Sequence, residues 1–194
     1  VSYKIIGDSC TDLPKELKED IHISLIPLSI QIEEENIIDD ETFDQKSFLK
    51  KMKDSKECPK SSCPSPQAYM KEFDGAEDIY VVTLSAKLSG SYNSAELAKK
   101  LYLEEHPNRN IEVIDSKSAS IGQTLIVMKI KELSEKGKNF SEISEAIRTF
   151  RDNLHTKFVL ETLETLRKNG RLNNITAVLC SALNIKPIMG SDDG

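Results

Sequence analysis

The 194-residue sequence contains no apolar run approaching the roughly 20 residues that span a bilayer. Stable membrane insertion is therefore not expected. Positive charge is short as well: 26 Lys and Arg stand against 32 Asp and Glu, a net charge of −6. That balance argues against nucleic acid or an anionic membrane surface as the main partner. Cysteine is sparse. Cys10, Cys58, Cys63 and Cys180 form no CxxC pair and no disulfide-rich spacing, so free thiols in a reducing cytoplasm are expected. The three histidines, His22, His106 and His155, are scattered and match no metal-ligand spacing. GxGxxG, the phosphate loop GxxxxGK[ST] and the nucleophile elbow GxSxG are all missing. The chain opens at Val1, and nothing there reads as a signal peptide. Internal repeats and low-complexity tracts are also absent. What remains is the composition of a soluble globular protein, 38% apolar and 30% charged.

Apolar strand patterns alternate with helical ones. Strands are expected at Tyr3–Gly7, Ile79–Leu84 and Ile111–Ile114, and a longer one at Ile21–Ile32, interrupted at Pro27. Helices are expected over Thr42–Lys53, from Ser65 or Pro66 to Phe73, and over Ser91–Glu105, Ser118–Glu135 and Phe140–Asn153. The stretch "CPKSSCPSP" reads as a loop. This order predicts an α/β fold: a mostly parallel sheet with helices on both faces. Past His155 the pattern changes. "KFVL" and "NIKPIM" read as strands, with "ETLETLRKNGRLNN" and "ITAVLCSAL" as helices between them. The expectation is a first domain over 1–154 and the start of a second, smaller α/β domain over 155–194, incomplete in this chain. The stripe Ile121, Leu125, Met128 and Ile130 reads as core.

Ligands of open parallel sheets bind beyond the carboxyl ends of the strands. There the sequence concentrates short hydroxyl side chains. Asp8-Ser9-Cys10-Thr11-Asp12 follows the first strand, "SAKLSGS" the second run, and "DSKSAS" the third. Ser61, Ser62 and Ser65 form a further cluster. Helix capping accounts for one hydroxyl per helix. It does not account for Ser85, Ser89, Ser91 and Ser94 at one junction. The Gly90 turn with Ser91 and Ser94, three residues apart on one helical face, suits an anion at a helix start. Arg167 and Arg171 lie one turn apart around a helix end and can reach an anion bidentately. No general base is placed beside these serines, so they are weak nucleophiles. An enzymatic alternative remains in Asp8 and Asp115: a metal-dependent small-molecule hydrolase or phosphotransferase. A regulatory domain whose ligand only signals is a third reading.

Six collinear segments carry a resemblance: "IIGDSCTDLP", "KSSCPSP", "TLSAKLSGSYNSA", "IEVIDSKSASIGQ", "LETLRKNGRL" and "LNIKPIM". Together they resemble the DegV family of bacterial fatty-acid-binding proteins over nearly the whole chain. Ser61 stands where the family has Thr, and Cys63 where it has Gln. The resemblance implies a two-domain α/β protein that buries a long-chain fatty acid, such as palmitate, between its domains. It implies a carrier and not an enzyme, with no metal or cofactor. The carrier presents the acid to a fatty acid kinase, which makes acyl phosphate for phospholipid synthesis in the cytoplasm. By position the carboxylate-binding residues are Ser61 or Ser62 and Ser94, with Ser91 and Gly90 beside them and Arg171 near the head group.

Overall fold

The computed structural model describes residues 2–168, 185–190 and 194. β1 (Tyr3–Asp8) leads through the short helix α1 (Lys15–Lys18) to β2 (Ile23–Ile26). An excursion follows: β3 (Ser29–Ile32), β4 (Glu35–Ile38), α2 (Gln45–Asp54), β5 (Lys60–Ser62) and α3 (Pro66–Glu72). The chain returns as β6 (Asp78–Thr83), α4 (Ser91–Glu105), β7 (Asn110–Asp115), α5 (Ile121–Glu135) and α6 (Phe140–Asp152). Beyond these lie β8 (Lys157–Phe158), α7 (Glu164–Lys168) and β9 (Met189–Gly190).

The central sheet has the order β2-β1-β6-β7, and every pairing in it is parallel. All six residues of β6, "DIYVVT", are buried, as expected of an inner parallel strand covered on both sides. Side-chain alternation divides the core in two. Ile6, Ile79, Val81 and Val113 pack with Tyr69 of α3, its C-cap Phe73, and Ala95, Ala98 and Tyr102 of α4. Ile5, Tyr80, Val82 and Ile114 pack with Ile126, Val127 and Ile130 of α5 and Ile143 and Ile147 of α6. Helices thus cover both faces, as the alternating pattern implied. Each fully buried Ile or Phe contributes roughly 1.5–3 kcal/mol by leaving water.

Local signals set the helix starts. Ser65 caps α3 by accepting from the Ala68 N–H, with Pro66 at the first helical position. Asn139 and Glu142 form a reciprocal capping box on α6.

Several expectations are corrected. Ile21–Ile32 is not one strand. Pro27 separates β2, in the parallel sheet, from β3, in a second, antiparallel sheet of order β4-β3-β5. Proline offers no N–H to a ladder, and the next N–H, of Leu28, goes to Ser9 Oγ at 3.0 Å. "KSS", expected as loop, is the strand β5, and β4 had no counterpart in the sequence reading. α5 begins at Ile121 and not Ser118, because Ser120 has φ 56° and ψ −120°, outside helical space. The stripe on α5 is only partly core. Ile130 is fully buried, but Ile121, Leu125 and Met128 are 59%, 39% and 47% exposed. Near the end, Lys157–Phe158 pairs antiparallel with Met189–Gly190, so both expected strands are shorter than read. Part of "ETLETLRKNGRLNN" is α7. The remainder of it, and the helix expected over "ITAVLCSAL", fall outside the described residues.

Candidate functional site

Because β1, β6 and β7 run parallel, their exit loops meet at one edge of the sheet, and the hydroxyl clusters meet with them. Each serine there has a separate task. Ser9 donates to Asp39 Oδ2 at 2.7 Å and accepts the Leu28 N–H, tying the β1 exit to the antiparallel sheet. Ser85 is buried and accepts the Lys87 N–H at 3.2 Å. Ser116 and Ser118 brace their own loop, and Ser118 Oγ lies 2.7 Å from Thr156 Oγ1. Ser120 donates to Asp12 Oδ2.

The start of α4 is different. Its N-cap is Gly90, which has no side chain with which to cap it. Ser89 accepts the Ser91 N–H at 3.2 Å, and its hydroxyl lies 3.0 Å from that of Ser91. Ser91 is fully buried. Ser94, half-buried one turn on, donates to the Pro64 carbonyl at 2.6 Å. A methyl group on Gly90 would stand 3.1 Å from Cys63 Sγ. The segment carrying Ser61 and Ser62 and the segment carrying Gly90, Ser91 and Ser94 are therefore neighbours, although about thirty positions apart. Ser61 and Ser62 are exposed on β5, opposite Ile30 and Ser29 of β3. Successive strand side chains point to opposite faces, so the two hydroxyls diverge. Arg171 lies outside the described residues. Arg167, on α7, pairs with Glu164 at 2.8 Å.

The acidic residues are engaged by donors. Asp8 is fully buried. Its Oδ2 accepts the Leu84 N–H at 2.7 Å, and its Oδ1 accepts the Cys10 N–H at 3.2 Å and Gln123 Nε2 at 3.0 Å. Burial raises the pKa of its carboxyl, and these donors, with the nearby Ser91 hydroxyl, pull the other way. Asp115 Oδ1 accepts the N–H groups of Ala86 and Lys117, both at 3.0 Å. Both carboxylates hold loops in place. Among the described residues no three His, Cys, Asp or Glu side chains gather to hold a metal ion.

Two side chains of this region were not singled out from the sequence, although Gln123 closes the segment "IEVIDSKSASIGQ". Gln123 is fully buried and reaches both Asp8 and Thr11 Oγ1, each at 3.0 Å. Tyr69 is fully buried, and its hydroxyl makes no hydrogen bond of good geometry among the described residues. Burial also pushes the Cys10 thiol up to about 12, helped by the Asp8, Asp39 and Asp12 charges. A cleft of about 1440 Å³ opens beside this edge, between the β1 exit and α5, with Cys10, Leu25, Phe43, Ile121 and Met128 on its walls. No described helix is long and apolar enough to cross a membrane.

Known proteins share this arrangement of chain. A DegV-domain-containing protein of Streptococcus gordonii is 42% identical over 191 residues, which is 97% of this chain and 68% of that protein. A solved DegV family protein from Ruminococcus gnavus, refined with vaccenic acid, superposes with a TM-score of 0.90 at 47% identity. The Streptococcus pneumoniae Fatty Acid Kinase (Fak) B3 protein, loaded with linoleic acid, does so with a TM-score of 0.87 at 38% identity. In both cases 98% of this chain and 68% of the other are covered. The family model described as "uncharacterised protein, DegV family" matches residues 2–194. With the sequence matched end to end and the fold superposed on solved members, this chain belongs to the DegV family.

Proposed function

We propose that the chain binds a long-chain fatty acid by its carboxylate and presents it to a fatty acid kinase for conversion to acyl phosphate. One observation carries the reading to specific residues: the Ser94–Pro64 bond, which sets the α4 start beside the Ser61–Ser62 segment. Family members solved with vaccenic and linoleic acid support the ligand class. Palmitate is the acid to test first.

The chemistry is that of holding. An ionised carboxylate needs donors and tolerates no neighbouring free carboxylate. The α4 start offers backbone N–H groups that Gly90 does not cap, at the positive end of a helix dipole. Ser94 turns its proton from the Pro64 carbonyl to the acid. One of Ser61 and Ser62 supplies a second hydroxyl. Ser91, buried below, supports the turn. Arg171 is the family's arginine near the head group. We take 1–154 as the first domain and 155–194 as part of the second.

The protein is a carrier in this reading, because its hydroxyls lack a general base and its sequence lacks a nucleotide-phosphate loop. The kinase brings ATP. A carboxylate oxygen of the held acid attacks the γ-phosphorus, the bond to the β-phosphate oxygen breaks, and acyl phosphate and ADP leave.

Mass spectrometry of an organic extract of the purified protein should find a fatty acid near one equivalent. Incubation with palmitate, magnesium and ATP should leave the acid unchanged, and adding the kinase should yield acyl phosphate. Acyl phosphate formed without kinase would overturn the carrier reading.

A further inference from the structure

We infer that Thr156, which touches no ligand itself, is a positioning residue of the acid site: its hydroxyl pins Ser118, and Ser118 pins the Ser85 turn from which α4 starts. This rests on the fatty-acid reading and the domain boundary above, and it makes the hold on the acid depend on the second domain.

The loop that leaves β7 is strained. Lys117 and Ser120 have φ of 52° and 56°, in the left-handed region that disfavours residues with a β-carbon. A loop of this kind keeps its shape only where its surroundings hold it. The first domain braces one end: Ser120 donates its hydroxyl proton to Asp12 and its N–H to the Cys10 carbonyl at 3.1 Å. Between the two strained residues lies Ser118, which is buried. Its Oγ is 2.7 Å from Oγ1 of Thr156, the residue just ahead of β8. The space around that hydroxyl is kept for it. A methyl group on Gly122 would stand 2.0 Å from Ser118 Oγ, so glycine at 122 leaves Ser118 its place.

From Ser118 the connection runs through the main chain. The Ser118 carbonyl accepts the Ser85 N–H at 2.9 Å. Ser85, also buried, carries the turn that follows. Its carbonyl accepts the N–H groups of Leu88 at 2.9 Å and Ser89 at 3.0 Å, and its hydroxyl accepts that of Lys87 at 3.2 Å. Ser89 in turn accepts the N–H of Ser91, the first residue of α4, at 3.2 Å. Ser94 stands one turn on. The chain past β9 meets the same relay: a methyl group on Gly194 would stand 2.5 Å from Ser85 Oγ. The segment 155–194 thus touches the support of α4 at two points, Ser118 and Ser85. Coupling between sites is reciprocal: whatever the second domain adds to the hold on the acid, the acid adds to the hold on the second domain.

The test uses the complete protein, with palmitate affinity from calorimetric titration and amide hydrogen exchange followed by NMR. The unmodified protein must first bind palmitate, and if it does not, the fatty-acid reading itself fails. Thr156→Val keeps the shape of the side chain and loses its hydroxyl. It is expected to raise the dissociation constant about fivefold, the low end of couplings between sites. Exchange at the Ser85, Leu88 and Ser89 amides should speed up by a similar factor. Thr156→Ser, which keeps a hydroxyl, should hold both parent values. Ser118→Ala combined with Thr156→Val should lose no more than either alone, because both break one contact. Palmitate binding by the parent, with either the affinity or these amides unchanged in Thr156→Val, overturns the inference alone. So does a double variant whose losses multiply. Should Thr156→Val fail to fold, Ser118→Ala decides by the same two readings.

Discussion

Ser94 has one proton to give, and in the structure Pro64 already takes it. Binding an acid is therefore an exchange of partners, not the gain of a free bond. A hydrogen bond to a charged group is worth about 1.5–3 kcal/mol and a neutral one about 1 kcal/mol, so the net loss in Ser94→Ala should be about tenfold in fatty-acid affinity. Calorimetric titration would measure it. Urea unfolding should show a separate loss of about 1 kcal/mol from the broken tether to Pro64. Unchanged affinity would remove Ser94 from the site. Gly90 poses a packing question. Its φ of −75° suits any residue, so conformational freedom is not the reason for glycine. The reason is Cys63 Sγ, 3.1 Å from where a methyl would stand. Gly90→Ala should cost about 1 kcal/mol by overpacking. Cys63→Ala on the same chain should restore most of that, and a double variant as unstable as the single one would refute the contact. The clustering of these serines was legible in the sequence. Their division of labour was not, because a serine carries no sign of its partner: Ser91 reads like Ser94, yet one is sealed inside and the other faces the neighbouring segment.

At the level of elements, β5 turns an ambiguity into a test. A loop would let Ser61 and Ser62 both approach one anion. A strand paired through Ile30↔Ser61 and Ser29↔Ser62 does not. One of Ser61→Ala and Ser62→Ala should therefore weaken fatty-acid binding about tenfold, and the other by less than twofold. Equal losses would mean that the β3–β5 register breaks when the ligand binds. Why β4 and β5 escaped the sequence reading is physical. Strands are read from apolar runs or from apolar–polar alternation. "ENII" and "KSS" lie in a small antiparallel sheet with little buried surface, and only the ladder to β3 defines them. The inner strands declared themselves through "YKII" and "IYVV". The Ile21–Ile32 run was read as strand correctly in kind, but composition cannot say that Pro27 hands the chain from one sheet to another. The α5 stripe failed the opposite way: Ile121, Leu125 and Met128 have core spacing, yet they wall the open cleft.

Across the whole molecule, one ion network joins distant parts. Lys131 of α5 contacts Asp20 Oδ2 and Glu135 Oε1, both at 2.6 Å, and Asp20 also holds the His22 backbone and ring ahead of β2. Burial would raise the Asp20 carboxyl, but Lys131 and His22 outweigh it and hold it at about 2. The unfolded value is higher, near 3.9. The stability this group adds is thus fully present above about pH 4 and is lost as pH falls through about 2. Asp20→Asn should lower the melting temperature at pH 7 but leave it nearly unchanged at pH 2, as followed by circular dichroism. An equal drop at both values would exclude the charge as the cause. The parallel sheet and its two helical covers were legible because alternation of strand and helix leaves few other arrangements. The order β2-β1-β6-β7 was not, since nothing in "YKIIG" says which distant strand it joins. That order governs how the molecule forms. β6 and β7 are near in sequence, whereas the junction at β1 closes between Ser2 and Glu77, 75 positions apart. Closing such a loop costs about 4 kcal/mol of chain entropy before any contact compensates. Refolding should then be limited by the seating of β1. In stopped-flow experiments Val113→Ala, in the local pair, should slow refolding little, and Ile6→Ala should slow it strongly. During synthesis one side of β1 can pair at once with β2, while the other stays open until β6 has been made.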